Sequence, residues 1–371
     1  MGWKFSDLTT LAGTPQATFG PAAYLFAQFT RHAIFHGFTA TQGSTGHLYE
    51  LYWTPGNNEW RYEDLTDDAG APLATGQPSA YIFPNQGNQH VLYQGQQAGG
   101  GDDGRVHEIW WDEDGQHHHD LTAATGAPPA NGTAEGYIFY AQNTQHAVYQ
   151  GRDGHIHELW WQNGTWHHGD LSAATGAPRA GSAPGAYMFD AQGTQHVDYH
   201  GTDGRLHELW WDATGWHHND LSAAAQAPPA SDQPSGYVFR GQGTQHVDYR
   251  GTDGHIHELW WDANGWHHSS LSAVTGAPKA APGSRPSGYA FEAQTLQPDP
   301  TQHVVYLGVD SRIHELWWNS TGWHHHDLTT AAHAPLAISS PAGFVEVDDA
   351  TQHVYYNSSD HHIIELSWKA P

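Results

Sequence analysis

Residues 235–270 read SGYVFRGQGTQHVDYRGTDGHIHELWWDANGWHHSS, a stretch holding four short runs rich in Val, Ile, Tyr, Phe and Trp. Runs of this kind bounded by turn residues predict β-strands. Asp253-Gly254 separates the second run from the third, and Asn264-Gly265 separates the third from the fourth. Both dipeptides suit tight hairpins, because Gly enters positive φ without a Cβ clash. The stretch therefore predicts a four-stranded meander. Its third run recurs around Glu50, Glu108, Glu158, Glu208, Glu258, Glu315 and Glu365, at intervals of 58, 50, 50, 50, 57 and 50 residues. A period near 50 matches one blade of a propeller.

The chain ends in HHIIELSWKAP, a third strand without its fourth, and begins with GWKFSDLTT, which aligns with GWHHNDLSA. Joined, the two ends complete a seventh blade, and closing the ring removes exposed sheet edges. The expectation is an all-β, seven-bladed propeller of four-stranded antiparallel blades, one domain over residues 1–371, with little helix. Stretches such as SAATGAPPA cross between blades. The copies are unequal: HGFTATQGSTGH and QGQQAGGGDDGR swell the loops before Glu50 and Glu108, and AQTLQPDPTQ enlarges a hairpin of blade six.

Composition narrows function. With 13 Lys+Arg against 39 Asp+Glu, the charge is −26, the wrong sign for a phosphate backbone, so no nucleic-acid partner is expected. There is no Cys, which excludes disulfides, thiolate zinc sites and thiol nucleophiles. No apolar run approaches the ~20 residues of a membrane helix, so no membrane insertion is expected. The first residues lack a signal-peptide pattern; the expectation is synthesis in the cytoplasm and release, where it occurs, by a non-classical route.

All 18 Trp fall in two slots of the repeat, a third-strand pair and the start of the fourth strand. Strand alternation sends the two indoles of a pair to opposite faces, so both neighbouring clefts receive one. Glu shares a face with the first Trp of its pair. A carboxylate beside an aromatic plane suits a sugar, accepting from hydroxyls while the ring carries the apolar face. Equally, Glu repeated in every blade fits a residue buried between blades and hydrogen-bonded to neighbouring backbone amides. On the blades that keep the motif, the candidate carbohydrate-binding residues are Glu158, Trp160 and Trp166; Glu208, Trp210 and Trp216; Glu258, Trp260 and Trp266; Glu315, Trp317 and Trp323. The 32 His include runs such as His117-His118-His119 with metal-ligand chemistry, but they follow the repeat, so no metal site and no cofactor are expected. No nucleophile elbow or phosphate-binding loop occurs, and a glycosidase needs two carboxylates facing one bond; no enzyme and no catalytic residue are expected.

Through TQHVDYRGTDGHIHELWWDANGWHHSSLSA and its six counterparts, the whole chain resembles the seven-bladed propeller lectins of Photorhabdus, which bind fucose and related sugars. The resemblance implies several sugar sites in clefts between adjacent blades, galactose-type or O-methylated sugars among the ligands, fucosylated or related cell-surface glycans as partners, and a homo-oligomer. Blade one departs most, with Tyr49 and Tyr52 for the His and first Trp; Gln116 replaces a fourth-strand Trp and Ser367 a first Trp. The alternative is a propeller that serves as a protein-interaction scaffold without sugar affinity.

Overall fold

The computed structural model describes residues 2–26, 30–41, 43–56, 59–292 and 300–370. They form seven four-stranded antiparallel sheets, each a meander of consecutive strands. Blade 5, for example, runs Ala230–Phe239, Thr244–Gly251, Ile256–Asp262 and Gly265–Ser270. In blade 7 the strands Ala342–Glu346, Thr351–Asn357 and Ile363–Lys369 are completed by Lys4–Asp7 from the other end of the chain, with Lys4 opposite Ser367 and Asp7 opposite Ile364. The two predicted turns form, with Gly254 at φ 83° and Gly265 at φ 116°. The swollen segments of blades 1 and 2 lengthen the second and third strands into taller hairpins. The enlarged loop of blade 6 lies largely outside the described residues.

The crossings are more ordered than the sequence reading held. Each contains one helical turn, such as Leu171–Thr175, because the Asp that ends the fourth strand caps it: Asp170 accepts from the Ala173 N–H, and Gly176 at φ 68° stops it. Such a cap contributes about 1 kcal/mol. Blade 5 has Ser270 there and no side-chain cap bond. The first helical residue, always Leu, is buried in every copy.

Each core cluster draws on two neighbouring blades. One joins Tyr137, Val148 and Ile156 of blade 3 to Val197, Tyr199 and Leu209 of blade 4, with Trp216 against it. Four blades approach their predecessors closely at a first-strand Gly: Gly136, Gly236, Gly288 and Gly343. A Cβ on Gly236 would lie 2.2 Å from the ring of Tyr187, and one on Gly288 2.5 Å from that of Tyr237. There Tyr81, Tyr187, Tyr237 and Tyr289 rest on the next blade's bare backbone.

Candidate functional site

The period of two places the second-strand His and the third-strand Glu on one face of a blade, and the first-strand Tyr joins them. In all seven blades the His Nδ1 lies 2.7–2.9 Å from a Glu Oε1. In five blades the other ring nitrogen reaches the Thr two residues earlier, as in Thr144–His146 and Thr194–His196, both 2.7 Å. Blade 2 has Asn88 in that slot, and in blade 7 His353 Nε2 lies 3.4 Å from Glu346. Tyr24, Tyr81 and Tyr137 lie flat on His32, His90 and His146 and reach the Glu of their blade. Their hydroxyls also contact Gln89, Gln145 and Gln195 of the next blade. The Thr-Gln-His string is therefore a stitch, with Thr and His serving one cleft and Gln the preceding one.

These contacts decide what Glu does locally. All seven are only 1–5% exposed, each held by its His. A Tyr joins at Glu50, Glu108, Glu158 and Glu365, Asn219 at Glu208 and His326 at Glu315, side chains where backbone amides were expected. Burial pushes the Glu315 pKa up, but hydrogen bonds and charge from His303 and His326 outweigh it and leave the carboxyl below its ordinary range. Glu365 is likewise held low against burial by His353 and Arg31.

The indoles distribute themselves differently from the expected grouping. In blade 3 Trp160 stands opposite His167, and Trp161 opposite Trp166. Trp166 thus shares a face with Trp161 and points away from Glu158 and Trp160. The same holds for Trp216, Trp266 and Trp323 against the Glu–Trp pairs Glu208–Trp210, Glu258–Trp260 and Glu315–Trp317 of their own blades. Each cleft is built from Glu and the first Trp of one blade and the second and fourth-strand Trp of the next. Trp216, Trp266 and Trp323 pack against the core clusters that join blades 3 and 4, 4 and 5, and 5 and 6 respectively.

Two clefts show the plan in the open. Between blades 6 and 7, a cavity of about 140 Å³ has Glu315, Trp317, His303 and His326 on one wall and Gln352, Trp368 and Trp3 on the other. Between blades 2 and 3, one of about 490 Å³ has Glu108, Trp110 and His119 facing Gln145, Trp161 and Trp166. The first Trp of each pair is covered on one face by a fourth-strand His: Trp317 by His324 at 4.3 Å and Trp110 by His117 at 5.0 Å between ring centroids. Nε1 of Trp210 and of Trp317 has no acceptor among the described residues. The sequence reading passed over Trp3, Trp368, Glu108, Trp110 and the Gln of each stitch.

Four clefts depart from the plan. Between blades 1 and 2, Tyr52 takes the slot of the first Trp and Gln116 that of the fourth-strand Trp. Between blades 7 and 1, Arg31 takes the Gln slot and Ser367 that of the first Trp. Arg31 Nη1 lies 2.9 Å from Glu365 Oε1, and the guanidinium sits 4.2 Å from the Trp53 ring centroid and 5.3 Å from that of Trp60. Between blades 4 and 5, Asp198 stands where blade 3 has Val148 and blade 6 has Val305. It is fully buried in register with Glu208, and neither of its oxygens, nor Tyr187 Oη or Gln245 Oε1, has a partner among the described residues. Desolvation, then the charge of Glu208, raises Asp198 well above the carboxylate range. Asp248 repeats the arrangement beside Glu258.

Among the described residues, His47 with Asp64 and Asp67, and Asp153 with His157 and Asp170, each bring three donor atoms within 4.8 Å, a spacing that could hold a metal ion. None of these six residues lines the two open clefts. No described helix is long and apolar enough to cross a membrane.

No family model matches the chain, and no curated protein matches it. Solved structures do, as propellers. AofleA from Arthrobotrys oligospora aligns with a TM-score of 0.54 at 17% identity, over 96% of this chain and 91% of its own. SapL1 lectin in complex with alpha methyl fucoside gives 0.53 at 19% identity, over 87% and 98%. Aleuria aurantia lectin in complex with Fucalpha1-6GlcNAc gives 0.52 at 16% identity, over 84% and 96%. The sialidase NanB also aligns, at 0.52 and 10% identity, over 96% of this chain and 70% of its own. At these identities the likeness is one of fold, shared mostly with lectins and also with an enzyme.

Proposed function

We propose that this chain is a multivalent lectin of the seven-bladed Photorhabdus type, taking fucose or related galactose-type or O-methylated sugars in the clefts between adjacent blades. The observation that carries the reading is the composition of the open clefts: largely buried indoles from two blades face each other over a fixed Glu–His pair and a Gln. An indole plane accepts the C–H face or methyl group of a sugar, while the polar floor meets hydroxyls. The lectins among the structural relatives support the same reading. One such cleft binds a monosaccharide weakly; several on one ring raise avidity on a glycan-coated surface by roughly 10²–10⁴. The reading is of binding without turnover.

A glycan array with monosaccharide calorimetry tests it. The expected result is binding of fucosylated, galactosylated or methylated glycans, weakened roughly tenfold or more per cleft when Trp317 or Trp110 becomes Ala. Failure to bind any glycan of those three classes overturns it.

A further inference from the structure

The cleft between blades 7 and 1 already holds a cation. Trp53 is the second Trp of blade 1, Trp60 its fourth-strand Trp, and Glu365 the carboxylate of blade 7. The guanidinium of Arg31 lies over both indoles and against that carboxylate. Attraction between a cation and the faces of aromatic rings, reinforced by a buried anion, accounts for its position. The cleft between blades 6 and 7 presents the same groups in the same slots: Trp368, Trp3 and Glu315, with Trp317 added as a further indole. There the Arg slot holds Gln352, and a cavity of about 140 Å³ lies among those groups. In the blade 7–1 cleft the guanidinium itself lies between carboxylate and indoles, beside an opening of about 570 Å³ lined by Arg31, Trp53 and His353.

We infer that the blade 6–7 cleft binds a methylated ammonium head group, with its methyl groups against Trp3, Trp317 and Trp368 and its charge toward Glu315. A quaternary ammonium carries its charge spread over an apolar surface with no N–H to satisfy, which suits a cavity walled by indole. A net charge of −26 on the chain further favours cations over anions. The inference concerns the same clefts as the carbohydrate reading and rests on it only for the claim that they admit ligands.

The test titrates the full chain with choline and with 3,3-dimethylbutan-1-ol, which has the same shape without the charge, followed by calorimetry and Trp fluorescence. Choline is expected to bind roughly tenfold or more tightly than the neutral alcohol. Gln352→Arg, which copies Arg31 into this cleft, is expected to abolish choline binding, and Glu315→Gln to weaken it toward the level of the alcohol. Equal binding of the two probes, or choline affinity unchanged in Gln352→Arg, overturns the inference. The thermal melt of Gln352→Arg reports whether it folds; should it not, the two probes compared on the unaltered chain still decide. Methyl fucoside titrated in parallel separates the two readings, since sugar binding without choline binding sinks this one alone.

Discussion

The cleft between blades 7 and 1 and the cleft between blades 6 and 7 use one plan and reach opposite states. Both set a buried Glu on one blade against two indoles on the next. In the first, Arg31 ties the last blade to the first and lines an opening of about 570 Å³; in the second, Gln352 makes no such tie and the cavity is about 140 Å³. One slot in the repeat thus decides whether a cleft carries a cation between its carboxylate and its indoles. A ring needs at least one firm seam where its two ends meet, and Arg31 stands at that seam.

The comparison can be broken most severely at the carboxylate. Glu365→Ala strands the Arg31 guanidinium, whose side chain is 14% exposed, and frees His353 and Tyr355. The expected cost is about 3–5 kcal/mol, the range for removing one partner of a buried pair, read by urea denaturation. Glu315→Ala, which strands no arginine, is expected to cost less; equal losses would show that Arg31 is no seam. The opposite exchange, Arg31→Gln, leaves Glu365 with His353 and Tyr355 and is expected to cost less than Glu365→Ala in the same denaturation.

Blades 4 and 5 sharpen the comparison from another side. Asp198 and Asp248 sit where blades 3 and 6 carry Val. Burial without a partner costs about 1–3 kcal/mol for a polar group, so the pair Asp198→Val and Asp248→Val is expected to stabilise the chain. The sign against pH is fixed: both folded pKa values are raised, so the folded state holds protons that the unfolded chain has released. Their penalty therefore grows as pH climbs above about 4, and on acidification the gain from substitution should shrink to the pH-independent cost of burying the neutral carboxyls. A gain independent of pH from 4 to 8 would contradict this.

A smaller effect concerns the histidines. Burial, then the neighbouring imidazole, holds His118, His168, His218, His268 and His325 below the usual value, and burial pushes His36 down to about 4. Stability these groups contribute is lost as pH falls below about 6.5, because the unfolded chain takes up protons first. His326 is raised by its bond to Glu315, and His353 is raised because Glu346 and Glu365 outweigh its burial. Their contribution runs the other way, present below about 6.5 and lost as pH rises through their folded values. The larger group should win, so melting temperature is expected to fall between pH 7 and 5; a rise would mean that the two clefts flanking blade 7 dominate.

Much of this was readable before any coordinates. The spacing of Glu50 through Glu365, the two turn dipeptides and the orphaned strands at either end suffice for seven blades and their closure. Period-two alternation correctly put Glu258 beside Trp260. Hairpin arithmetic would have gone further: the turn after Asp262 sets Trp266 opposite Trp261, and therefore on the face away from Trp260. The Gln of each stitch was not legible, because its partner Tyr lies on another blade some 60 residues away in sequence, as Tyr137 and Gln195 do. Nor was Arg31: in sequence it is one cation in a strand, and its meaning depends on Glu365, which the ring brings round from the far end.

The stitching of Lys4–Asp7 onto Ile363–Lys369 has a consequence for how the molecule is made. During synthesis the first strand emerges long before its partner exists, and it waits unpaired while six complete blades fold ahead of it. Closing so long a loop is entropically costly and slow, though the cost grows only logarithmically with length. Refolding should therefore show a fast phase in which the sheets form and a late one in which the wheel locks. Arg31 finding Glu365 belongs to that last event.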